Sequence, residues 1–250
     1  MTVITSMLRI SHNNLLLKVP TPSTLLFQAQ ELAESFANSV LPETTLSIEL
    51  YAQFLQFCSS RSPAMARVVF EAFEKAFCQS TNIHAVVKDL KLTEPQARIV
   101  VRGYFSVWDL VESSPKLDSV KHEAFALFSD PSVKLMAAFG GQGGMDNYMD
   151  ELNWVVDVYK PLVFGFFSAM AEFLRIEATD ARIAGLYKRG LDVAGWVGKP
   201  ETLPDLPYML HVPVSIPIVG LIHLLHLMVL YKTLRMNPGE FAQKFHGKPH

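Results

Sequence analysis

The apolar positions near the N-terminus form two short runs, residues 7–11 (MLRIS) and 15–19 (LLLKV). Asn13-Asn14 between them is a turn signal, so a small hairpin is predicted. The period then lengthens. Leu25, Leu26, Ala29, Leu32, Ala33 and Phe36 recur at helical spacing within 24–40. Leu46, Leu50, Phe54, Phe57 and Cys58 repeat the pattern over 46–58, and Val68, Val69, Ala72, Phe73, Ala76 and Phe77 over 64–80. Helices are also predicted over 83–90 and 94–111, the latter with Thr93 as N-cap and Pro95 in its first turn. The polar stretch 112–121, with Ser113-Ser114-Pro115, reads as a linker. A short strand over 134–139 (KLMAAF) then runs into Gly140, Gly141, Gln142, Gly143 and Gly144. Helical patterns follow over 147–159, 161–176, 180–197, 218–234 and 238–245. The expected organisation is a mainly helical region over 1–130 and a second region over 131–250. Strand, glycine turn and helix make the opening unit of an α/β domain.

The apolar run 212–231 is long enough to span a bilayer. It holds Pro213, Ser215, Pro217, His223 and His226, which argue instead for a buried helix of a soluble domain. That helix is expected to start near Pro217, with Lys232 and Arg235 opposing its dipole at the C-terminal end. The first residues lack a basic segment followed by an apolar one, so they do not read as a secretory signal.

Composition narrows the classes. Half of the 250 residues are hydrophobic and 18% are charged, which excludes disorder as a description of the whole chain. A net charge of −2 provides no strong positive field for nucleic acid. Two cysteines exclude a disulfide scaffold or a cysteine-rich zinc module, and a reduced, cytoplasmic compartment is expected.

The candidate chemistry lies in the glycine cluster. Glycines after a strand permit positive φ and bring backbone N–H groups close to an anion. No Gly-Lys-Ser/Thr follows, so it is not a phosphate-binding P-loop, and the spacing is not that of a dinucleotide fingerprint. On spacing alone it is either an oxyanion loop, with the Gln142 N–H as donor, or a plain tight turn. His223 and His226 stand at i, i+3, but no acidic or cysteine ligand joins them in a recognisable pattern, so a pocket-lining pair is favoured over a metal site. Cys58 and Cys78 read as small core residues. Phe70, Phe73 and Phe77, and Phe164, Phe166, Phe167 and Phe173, read as core or interface. The 250 residues contain no Gly-x-Ser-x-Gly, the turn that carries an acyl-transfer serine.

These residues in order resemble the β subunit of the fungal type I fatty acid synthase. Phe139 to Gly143 resembles the Phe-Gly-Gly-Gln-Gly loop that opens its acetyltransferase domain. Tyr148-Met-Asp-Glu-Leu152 is similar to the helix that follows. Gly190-Leu-Asp192 with Trp196, Val212-Pro-Val-Ser215, Pro217-Ile-Val-Gly220 and Pro238-Gly-Glu240 resemble later segments. Leu8-Arg-Ile-Ser-His12, Val19-Pro-Thr21 and Asn82-Ile-His-Ala85 resemble the subunit's N-terminal segment. The resemblance implies a helix-rich α/β fold: a hairpin and helical region, then the incomplete opening part of a malonyl-CoA:ACP transacylase-like domain.

It also implies ping-pong transfer of acetyl groups from acetyl-CoA, through a serine ester, to an acyl carrier protein. Gln142 would be the oxyanion donor, Gly141 and Gly143 would shape the loop, and His223, where the family carries Gln, would line the pocket. No cofactor is implied for this segment. The partners implied are the synthase α subunit and the acyl carrier protein, in a hetero-oligomer. In the family a Gly-His-Ser-Gln-Gly follows the Pro-Gly-Glu helix, whereas here Phe245-His-Gly-Lys-Pro-His250 follows it. The chain is therefore expected to be a truncated form that is inactive alone. The competing readings are a non-catalytic assembly module binding the α subunit, and a small membrane protein anchored by 212–231.

Overall fold

The computed structural model describes residues 5–79, 81–111, 148–234 and 236–245. The expected strand 134–139 and the glycine cluster lie outside the described residues. The chain divides into two compact units, Met1–Ala126 and Leu127–His250.

The first unit opens with β1 (Thr5–His12) and β2 (Leu15–Pro22), an antiparallel pair. Asn13 takes the left-handed conformation at φ 51°, which asparagine tolerates better than most residues. Alternation sorts the side chains. Leu8 opposite Val19 and Ile10 opposite Leu17 are buried, and the other face is open to solvent.

Helices α1 (Leu26–Ala37), α2 (Ser47–Ser59), α3 (Pro63–Phe77), α4 (Ile83–Asp89), α5 (Glu94–Phe105) and α6 (Trp108–Val111) follow. Their starts are written in side chains. The Glu49 carboxylate accepts from the N–H groups of Thr45 and Leu46 at 3.1 and 2.9 Å, which opens α2. Ser62 caps α3 ahead of Pro63, and Asn82 Oδ1 accepts from His84 and Ala85 to cap α4. The core is aromatic and aliphatic: Phe36, Leu50, Phe54, Leu55, Met65, Val69 and Phe73 are all at most 1% exposed. The Tyr51 hydroxyl donates to the Lys18 carbonyl at 2.5 Å, tying α2 to the hairpin. Helices α2 and α5 pack closely at Gly103, where a Cβ would stand 2.7 Å from the carbonyl carbon of Ala52.

The single helix expected over 94–111 is two. The Ser106 hydroxyl donates to the Gly103 carbonyl at 2.7 Å, competing with the backbone ladder, and α5 ends at Phe105.

The second unit contains α7 (Tyr148–Val158), α8 (Lys160–Glu177), α9 (Val193–Gly198), α10 (Leu206–Met209), α11 (Val212–Thr233) and α12 (Pro238–Phe245). Helix α11 packs on α7 and α8. The buried Tyr148 hydroxyl donates to the Met209 carbonyl at 2.6 Å, joining α7 to the end of α10. Burial pushes the Tyr148 phenol up to about 12.

Two expectations are corrected here. No continuous helix covers 180–197. The Asp180 carboxylate accepts from the Arg182 N–H at 2.8 Å, Gly190 sits at φ 72°, and α9 begins only where Asp192 accepts from the Gly195 N–H. Lys232 stands in the last turn of α11, as expected, and also donates to the Leu162 carbonyl of α8 at 2.6 Å.

The second correction concerns α11, which starts at Val212 rather than near Pro217. Pro213 occupies its first turn, where no N–H is needed. Pro217 lies inside the helix and has no N–H to offer the Pro213 carbonyl one turn back. The Tyr187 hydroxyl donates to that carbonyl at 3.2 Å and replaces the missing bond. Tyr187→Phe is expected to destabilise the second unit by about 1 kcal/mol. The check is faster hydrogen exchange at the start of α11, with the first unit unchanged.

Candidate functional site

Gln142, Gly141 and Gly143 lie outside the described residues, so only the histidine side of the expected pocket has a geometry. Helical spacing puts His223 and His226 on neighbouring positions of α11, and both are half-buried. His226 Nε2 lies 3.6 Å from Glu151 Oε1 on α7. Sequence reasoning missed this partner, because Glu151 is far away in the chain and only the packing of α7 on α11 joins them.

Burial holds the His226 imidazole below its ordinary range. Glu151 pulls the other way and His223 adds to the depression. As pH falls, the unfolded chain takes up the proton first. The stability linked to neutral His226 is therefore present above the unfolded value near 6.5 and is lost as pH falls through the folded value. The second unit is expected to lose stability between pH 7.5 and 5.5, and His226→Leu should flatten that slope relative to the parent chain. Urea midpoints of both proteins at the two pH values decide it.

Among the described residues no group of three or more His, Cys, Asp or Glu could hold a metal ion. Cys58 and Cys78 are buried and unpaired by disulfide. Burial pushes the Cys58 thiol up to about 12 and raises that of Cys78 further, so neither presents a thiolate near neutral pH. Glu74 is held above the usual carboxylate range by its own burial, with Tyr104 and Cys78 hydrogen-bonded to it. A recess of about 330 Å³ in the first unit is bounded by Phe36, Gln53, Phe57, Arg61 and Arg102. Its Gln53 amide is taken up by Leu41 and Thr44, and the Arg61 guanidinium sits 3.8 Å over the Phe57 ring.

Of the phenylalanines read as core or interface, Phe73 and Phe167 are buried, whereas Phe164 and Phe173 are 45% and 51% exposed. Helix α11 is long and apolar enough to cross a membrane by length and composition, with 39% of its most apolar window buried. Val212, Ile216 and Leu224 on it face solvent.

The hairpin and helices α1 to α6 coincide with a known domain. Residues 5–111 match the family described as the N-terminal domain in fatty acid synthase subunit beta. A fatty acid synthase subunit beta of Schizosaccharomyces pombe is 34% identical over 181 residues, covering 72% of this chain. The fatty acid synthase beta subunit aflB of Emericella nidulans is 33% identical over 177 residues, covering 69% of it. The chain belongs to the fungal fatty acid synthase β-subunit family. The Saccharomyces cerevisiae subunit beta aligns through 96% of the chain at 29% identity, so the likeness continues into the second unit. The chain spans about a tenth of the length of these curated relatives: 8% of the first two and 13% of the third. The likeness is to the N-terminal region of synthase β subunits.

Proposed function

We propose that this chain forms the N-terminal part of a fatty acid synthase β subunit, with its second unit the opening of an acetyltransferase domain. The observation that carries this reading is the alignment through 96% of the chain, taken with the ordered motifs from Phe139 to Glu240. In this reading the Gln142 N–H stabilises the oxyanion formed when acetyl passes from acetyl-CoA to a serine, and then to an acyl carrier thiol. Gly141 and Gly143 let the backbone approach the reacting oxygen. His223 lines the acyl pocket from α11. These 250 residues contain no Gly-x-Ser-x-Gly to supply that serine. The segment needs no cofactor of its own and works in the cytoplasm.

Incubating the purified chain with labelled acetyl-CoA is expected to leave no covalent label. A stable acyl-enzyme on these residues would sink the reading.

The match of the family model to residues 5–111 favours a second role beside the first. The first unit would act in assembly by binding the synthase α subunit. Co-purification of the two proteins tests it, and a chain that stays unbound overturns it.

A further inference from the structure

The outward face of the β1–β2 hairpin carries a conflict that the fold does not resolve. Arg9 and Lys18 are directly opposite each other in the register, and both are exposed. Like charges in that position repel. Neither side chain has an ion-pair or hydrogen-bond partner among the described residues. The neighbouring pairs on the same face are Met7 with Pro20 and Ser11 with Leu16. Met7 is 49% exposed and Leu16 45%. The strip therefore reads apolar, doubly cationic, apolar. Local arrangements that oppose stability without a visible compensation mark surfaces kept for another purpose.

Strand addition along β2 is closed. Pro20 and Pro22 have no N–H to offer, and the Lys18 carbonyl already accepts from Tyr51. A partner must lie on the face rather than pair with that edge. Two cations with apolar neighbours suit carboxylates set between apolar side chains, and a net charge of −2 on the chain gives no wider positive field for a nucleic acid.

We propose that this face docks an acidic polypeptide segment, whose carboxylates take Arg9 and Lys18 and whose apolar side chains cover Met7 and Leu16. The segment is assigned to the synthase α subunit, a source that rests on the assembly reading above.

The test uses the full chain, with recombinant α subunit as the probe. Arg9→Glu places a carboxylate opposite Lys18, so the hairpin amides should exchange about two- to fivefold more slowly than in the parent. The same substitution should weaken α-subunit binding at least about tenfold at low salt, and Lys18→Glu should do likewise. Arg9→Lys, which keeps the charge, should bind within about twofold of the parent. Unchanged binding by Arg9→Glu and Lys18→Glu overturns the docking face and leaves the assembly reading standing. Failure of the parent chain itself to bind the α subunit overturns both. Hairpin exchange that does not slow in Arg9→Glu removes the charge conflict on which the inference is built.

Discussion

Gly103→Ala is expected to destabilise the first unit by about 1–3 kcal/mol, and Gly103→Val by more. The sign is the informative part. Alanine in place of glycine inside a helix ordinarily stabilises it by about 1 kcal/mol. Here α5 lies against α2 so closely that an added Cβ would meet the Ala52 carbonyl oxygen, and would stand 2.7 Å from both the Ala52 carbonyl carbon and its Cβ. Two of those three atoms are backbone, so no side-chain rotation relieves the clash. The helices must part, and the packing of the α2 residues Leu50, Phe54 and Leu55 loosens with them. Hydrogen exchange of the α2 and α5 amides should accelerate by one to two orders of magnitude. Gly185, which has open space around it, accepts alanine without that effect. A stabilised Gly103→Ala protein would mean that the helices are not in contact there.

Phe54→Ala should cost still more, about 3–5 kcal/mol. The ring is fully buried and packs at 5.0 Å, tilted, on Phe36, which in turn meets Phe57 at 5.4 Å. Removing it leaves a cavity among residues that are themselves held by helix packing, so collapse is limited. That loss is a large fraction of the roughly 5–15 kcal/mol that holds a domain folded. The expected readout is a first unit that unfolds at markedly lower urea while the exchange of α7, α8 and α11 stays as it was. Parallel loss in both units would show that their folding is coupled.

The first unit was largely legible in the sequence. The apolar runs 7–11 and 15–19 around Asn13-Asn14 mark the hairpin, and the helical spacing of Leu46, Leu50 and Phe54 and of Val69, Phe73 and Phe77 marks helices, because one buried face imposes its period on the chain. The Thr93 cap of α5 is local and was readable as well. What failed were features decided by distant partners. Pro217 looked like a helix start because nothing near it in sequence reveals Tyr187. Residues 180–197 looked helical because apolar spacing does not register Asp180 and Asp192 turning their carboxylates onto backbone N–H groups. The candidate site followed the same division. Its motifs can be read, but the contact of His226 with Glu151 depends on how α7 and α11 meet.

The hydrogen bond from Tyr187 to the Pro213 carbonyl has a consequence for the growing chain. Residue 187 leaves the ribosome before residue 213, so the hydroxyl is available before the carbonyl that needs it. An α11 peptide made alone, without that hydroxyl, would fray at its proline.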